Sequence, residues 1–170
     1  LSKLDTAQQT KQTQADFEML DLKEILAACA DSLAVNAQRA YVTLLFEGER
    51  VMVRGSRSAL EELCVNLCDN AIRYNKPGGK VIMSCGQSEG RPYLRVRDDG
   101  IGIPEEQQER VFERFYRVDK SHSRAIGGTG LGLSIVKHAA ALHNAEVKLQ
   151  SQPEQGTVIT VLFPGNEQNM

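Results

Sequence analysis

The strongest periodicity in the chain lies in two stretches where apolar side chains recur every three or four residues. Leu22, Ile25, Leu26, Cys29 and Leu33 mark the first, and their spacing predicts a helix over residues 21–38. Leu60, Leu63, Cys64, Leu67 and Ala71 mark the second, a helix over 56–74 with Ser56 or Ser58 as its N-cap. Short alternating runs predict strands at 41–46 and 50–53, joined by a turn at 47–49. After a Pro77-Gly78-Gly79 turn, further strands are expected at 80–86 and 91–98. A loop-rich stretch, 99–130, contains a short helix at 105–115. A third helix over 131–143 and a hairpin built from 145–151 and 157–163 complete the pattern. Polar residues 1–20 and a polar, disordered tail at 165–170 would flank a folded unit at 21–164. Helices mixed with hairpin-connected strands predict an α+β fold, a two-layer sandwich whose largely antiparallel sheet is covered on one face.

Composition narrows this little. The 170 residues are 41% hydrophobic and 25% charged, enough for one ordinary globular core. A net charge of −2 with interspersed signs argues against a nucleic-acid-binding face. No apolar run approaches the roughly 20 residues that cross a bilayer. Cys29, Cys64, Cys68 and Cys85 lie in apolar contexts without C-x-x-C spacing, which predicts buried, reduced core cysteines in a reducing compartment.

Three features carry candidate chemistry. On the second helix, Glu62, Asn66, Asn70 and Arg73 gather opposite the apolar stripe. A solvated polar face is the plain reading, yet asparagine is a mediocre helix former, so two at i, i+4 call for a reason. An amide oxygen suits Mg²⁺, and Arg73 one turn on could meet phosphate charge. At the end of the strand over 91–98, alternation turns Asp98 inward with Leu94 and Val96. An inward carboxylate needs a donor, which the amine of adenine could supply and guanine could not. Gly100 and Gly102 would then let the backbone approach a flat base.

The third feature is the run Gly127-Gly128-Thr129-Gly130-Leu131-Gly132-Leu133 before the last helix, whose N–H groups could cradle phosphates. A dinucleotide fold fails because residues 117–126 are too polar for the strand it requires. A Walker A string is absent. The connection of about 25 residues between the glycine clusters has the length of a functional lid. Phe112, Phe115 and Tyr116 could pin it, with Arg114, Arg117, Lys120 and Arg124 supplying charge.

Taken together these segments resemble the ATP-binding domain of sensor histidine kinases, in the superfamily that includes gyrase, Hsp90 and MutL. Asn66-Leu-Cys-Asp-Asn70-Ala-Ile-Arg73-Tyr74 is similar to the N box, and Asp98-Asp-Gly100-Ile-Gly102-Ile103-Pro to the first glycine box. Phe112-Glu-Arg-Phe115-Tyr116-Arg117 is similar to the F box, and Gly128-Thr129-Gly130-Leu131-Gly132-Leu133 to the second glycine box. The resemblance implies the Bergerat fold, a mixed sheet of about five strands backed by three helices, with ATP and Mg²⁺ as ligands. It places Asn70 on Mg²⁺, Asn66 near the phosphates, Arg73 on phosphate, Tyr74 beside the base and Asp98 on the adenine amine. Gly128, Gly130 and Gly132 would line the lid and triphosphate, Arg117 of the lid would assist phosphoryl transfer together with Asn66, and Arg124 would contact the nucleotide.

Gyrase and Hsp90 carry a water-activating glutamate four residues before the Mg²⁺ asparagine. Asn66 stands there in this sequence, and an amide is a poor base near neutral pH. Transfer to a supplied nucleophile is therefore expected. His122, His138 and His143 have no His-Glu context, so the acceptor histidine is expected on a dimerisation helix outside the chain, whose end residues 1–5 resemble. The implied partners are those helices and a response regulator, in a homodimeric sensor of an inner or plasma membrane with this domain in the cytoplasm. The fragment itself is expected to be monomeric. A regulatory module without transfer activity and an anti-sigma-type serine kinase are the alternatives.

Overall fold

The computed structural model describes residues 17–103, 105–108, 112 and 132–165. The chain enters through β1 (Glu18–Asp21) and turns at once into α1 (Leu22–Arg39), followed by β2 (Thr43–Gly48) and β3 (Met52–Gly55). Helix α2 (Arg57–Arg73) leads to β4 (Lys80–Ser88) and β5 (Arg91–Asp98), and a 3-10 turn at Glu105–Gln107 follows. Helix α3 (Gly132–Leu142) precedes β6 (Glu146–Gln152) and β7 (Gly156–Leu162).

The helices begin where side chains cap them. Asp21, in extended conformation, accepts a bond from Lys23 N, and Ser56 does the same for Ala59 N, each satisfying an otherwise orphaned donor. Helix α1 ends when Tyr41 takes a left-handed conformation, φ 59°, with Val42 N donating to Ala37 O at 2.9 Å. That stop occupies residues 40–41, so the strand expected from 41 starts only at Thr43.

Five strands form one sheet in the order β2-β4-β5-β7-β6. Strands β2 and β4 run parallel, and the other pairs are antiparallel. The two-layer α+β sandwich is as expected, and so is the final hairpin, paired from Glu146↔Leu162 to Gln152↔Gly156. The two strands joined at 47–49 do not pair with each other. Strand β3 turns away and pairs with β1, Glu18↔Gly55 through Asp21↔Met52. Four residues are too few to display an alternation, and only Leu20, 1% exposed, signals that residues 18–21 belong to the folded unit.

Period-2 alternation puts Val81, Met83 and Cys85 of β4, Leu94 and Val96 of β5, and Ile159 and Val161 of β7 on one buried face. The helices cover it with Leu26, Leu33, Leu60, Leu63, Leu67 and Val136, among others. All four cysteines are free and buried in this core, and burial pushes the Cys85 thiol up to about 11. Phe112 packs against the same core. Among the described residues no helix is long and apolar enough to cross a membrane.

His143 closes one end of the core. Its Nε2 accepts from Ser56 N at 3.0 Å and its Nδ1 meets Ala139 O at 2.7 Å; together these bonds specify the neutral ring protonated on Nδ1. Phe17 stacks on it at 5.1 Å and Phe163 meets it edge-on at 6.1 Å. Burial lowers its pKa. Stability from the neutral ring is complete above the unfolded value of 6.5 and is lost as pH falls from there through the depressed folded value. A His143→Gln variant should lose this acid-side slope, read as melting temperature against pH. His143→Ala should cost about 3 kcal/mol in urea unfolding, as for other buried aromatic truncations.

Candidate functional site

Helix α2 packs against both α1 and α3, and its residues sort by face. Leu60, Leu63, Cys64, Leu67, Cys68, Ala71 and Ile72 are buried, whereas Asn66, Asn70 and Arg73 are half-buried and Glu62 is exposed. Asn66 Nδ2 donates to Glu62 O one turn back at 2.7 Å. Arg73 Nε pairs with Asp69 Oδ2 at 2.8 Å. Tyr74 caps the helix, its N–H on Asn70 O.

Asp98 ends β5, in register with Val81 on one side and Thr157 on the other. Its Oδ1 accepts from Gly100 N at 2.9 Å, and a second donor is the backbone N–H of Thr157. Burial raises its pKa from 3.8 to about 6; the two backbone bonds oppose that rise, and Asp99 adds to it. A carboxylate has about four lone-pair directions, so two backbone donors leave acceptor capacity in a desolvated setting.

The loop after Asp98 is threaded between α2 and the β6–β7 hairpin. On one side Ile101 N donates to Tyr74 O at 3.2 Å. On the other, Glu154 N donates to Ile101 O at 2.7 Å and Ile103 N to Ser151 Oγ at 2.7 Å. Gln108 Nε2 bonds both Ile103 O and Ser151 O. The two glycines are dictated by these protein contacts. A Cβ on Gly100 would run into Tyr74 O, and one on Gly102, at φ +73°, into Gln152 O. Glycine is thus required here by neighbouring backbone, independently of any ligand: the missing side chains would point at Tyr74 and Gln152.

The fold thus brings the N-box end of α2, through Tyr74, against the loop that follows Asp98. Leu133 on α3 is buried in the core, and Gly132 opens that helix. Arg117, Arg124, Gly128, Thr129, Gly130 and Leu131 lie outside the described residues. Sequence reading passed over Asn75, Ser151, Thr157 and Gln108, which hold the loop. Asn75 before Lys-Pro-Gly-Gly was legible as a turn residue, whereas Ser151 and Thr157 look like any alternating strand positions.

Among the described residues, three helices lie on one face of a mixed five-stranded sheet, with a desolvated aspartate at a strand end beside an asparagine-bearing helix. Residues 55–167 match the profile described as "Histidine kinase-, DNA gyrase B-, and HSP90-like ATPase". The chain is 43% identical over 157 residues to "Sensor histidine kinase YkoH" of Bacillus subtilis, covering 92% of this chain and 33% of that protein. It is 41% identical over 152 residues to "Sensor-like histidine kinase SenX3" of Mycolicibacterium smegmatis, covering 88% and 39%. Among solved structures, "Mycobacterial sensor histidine kinase MprB" superposes with TM-score 0.74 at 30% identity, covering 88% of this chain and 97% of that one. The fold is also that of the catalytic domain of histidine kinase ThkA, TM-score 0.77 at 23% identity over 91% and 99%. The chain belongs to this ATPase family, as an ATP-binding catalytic domain of sensor histidine kinases. It spans only 33% and 39% of the length of the two sequence relatives.

Proposed function

We propose that this domain binds ATP with Mg²⁺ and delivers the γ-phosphoryl group to a histidine on a dimerisation helix of a longer sensor protein, which in turn phosphorylates a response-regulator aspartate. The observation that carries the reading is Asp98, a desolvated carboxylate fixed by backbone donors in a loop pinned to the end of α2. It suits the amine of adenine, with Tyr74, Gly100, Gly102 and Ile103 around the base. Asn66 and Asn70 on α2 face the phosphates, joined by Arg73, by the glycines 128, 130 and 132 with Thr129, Leu131 and the backbone of Leu133, whose side chain is in the core, and by Arg124. Arg117 supports the transferring group.

Among the described residues no three Asp, Glu, His or Cys side chains group to hold a metal. That fits a cation carried chiefly by phosphates and water with a single protein oxygen, the habit of Mg²⁺, and Asn70 would be that ligand. When bound, Mg²⁺ neutralises charge on the phosphates. The side chains orient the nucleotide, and phosphoryl transfer asks for little more than position and electrostatics. We place the domain on the cytoplasmic side of a membrane-anchored homodimer, with the dimerisation helix preceding β1.

Incubation with γ-labelled ATP and a separate acceptor-helix fragment should yield acid-labile phosphohistidine on that fragment, with only slow release of free phosphate in its absence, because Asn66 is no general base. Rapid phosphate release with no labelled fragment would place the chain in the hydrolase branch instead.

A further inference from the structure

The turn that carries Asp98 is held by a polar clasp whose central side chain, Asn75, has no place in the nucleotide contacts above. Asn75 follows the cap of α2 and is 9% exposed. Its Oδ1 accepts from Lys76 N at 2.8 Å, and its Nδ2 donates to Lys80 O at 2.9 Å, across to the first residue of β4. From the other side, Lys80 N donates to Asp99 Oδ1 at 2.7 Å. The backbone of Lys80 is therefore gripped by both Asn75 and Asp99. Gly100 lies directly on Tyr74 O, with Asn75 Cα 3.0 Å and Asp98 Oδ1 3.1 Å from where its Cβ would be. Even Gly79 serves the clasp, since a Cβ there would strike Asn75 Oδ1 and come within 2.9 Å of Asp99 Oδ1.

We propose that Asn75 is a positioning residue that sets the base selectivity of the site, by locking the end of α2 to β4 so that the Asp98–Gly100 turn keeps one geometry. The inference rests on the ATP-binding reading. Only a side chain that accepts and donates at once serves both Lys76 N and Lys80 O. Aspartate would set a carboxylate oxygen against the Lys80 carbonyl, alanine would leave Lys76 N without its side-chain acceptor and Lys80 O with only the long bond from Asp99 N, 3.4 Å, and serine reaches only the nearer group. With the clasp open, the Tyr74 carbonyl and Ile101 N lose their alignment, and the Asp98 carboxylate loses its fixed aim. Contacts along the triphosphate do not depend on that aim.

The test compares ATP with inosine triphosphate, which carries a carbonyl oxygen in place of the amine, by calorimetry on the full chain. Losing the clasp bonds in Asn75→Ala or Asn75→Asp should weaken ATP binding by about tenfold while changing inosine triphosphate binding by less than about twofold, so the preference shrinks by at least about fivefold. Asn75→Ser, which keeps the Lys76 bond, should shrink it less and gives the same readout where the other variants do not fold. An unchanged preference, whether both affinities fall together or neither falls, overturns the positioning role. A wild-type protein with no preference for ATP overturns the ATP reading itself, and with it this inference.

Discussion

Asp98→Asn should weaken ATP binding by about 10- to 100-fold, the cost of losing a charge-assisted hydrogen bond in a desolvated site. Asparagine offers one acceptor oxygen where the carboxylate serves Gly100 N, Thr157 N and an incoming amine. Its own NH₂ would face the donor it should receive. The same carboxyl makes binding pH-dependent. In the empty domain it titrates at about 6, and an adenine amine prefers the ionised form. Wild-type affinity should therefore fall as pH drops below about 6, in addition to whatever the triphosphate contributes, and the asparagine variant should lack that extra loss. Calorimetry across pH 5 to 8 reads both effects, and equal affinity for the two proteins at neutral pH would remove Asp98 from the site.

Stability moves the opposite way, which separates a binding defect from misfolding. The folded pKa of Asp98 is raised above the unfolded 3.8. Its favourable contribution to folding is thus complete below 3.8 and is lost as pH rises through about 6. At neutral pH the empty wild-type domain bears the cost of a buried charge that asparagine does not bear. The variant that fails to bind should melt at a similar or higher temperature.

Gly102→Ala is the second large effect. A left-handed φ alone costs an alanine about 1 kcal/mol. Gly90 and Gly102 share that conformation, φ +78° and +73°, but a Cβ on Gly90 meets nothing within 4 Å, whereas one on Gly102 collides with Gln152 O and comes within 3.0 Å of Pro153 Cα. The colliding partners are backbone in a hydrogen-bonded hairpin and have no rotamer to change. Gly90→Ala should therefore cost about 1 kcal/mol in urea unfolding, and Gly102→Ala about 3 kcal/mol, with strain of the overpacking kind making the difference. Because Ile101 and Ile103 are bonded to the same hairpin, the Gly102 variant should lose ATP affinity as well. Equal costs for the two substitutions would mean the hairpin yields.

Much of this architecture is written in local pattern. The apolar stripes of α1 and α2, the caps at Asp21 and Ser56, the inward turn of Asp98 and the last hairpin all follow from periods of 3.6 and 2 and from capping chemistry, each acting within a few residues. The asparagine pair and the Asp-x-Gly-x-Gly turn likewise advertise their chemistry at short range. Tertiary structure alone decided that β2 would lie parallel to β4 and that β3 would leave it to pair with β1. Alternation specifies which side of a strand is buried but not which strand lies beside it. It also decided that Gly100 and Gly102 answer to Tyr74 O and Gln152 O, that His143 would accept a bond from Ser56, 87 positions away, and that Asn75 would join α2 to β4. Those contacts pair groups that have no common local pattern, and only the closing of the sheet against its helices brings them within hydrogen-bonding distance.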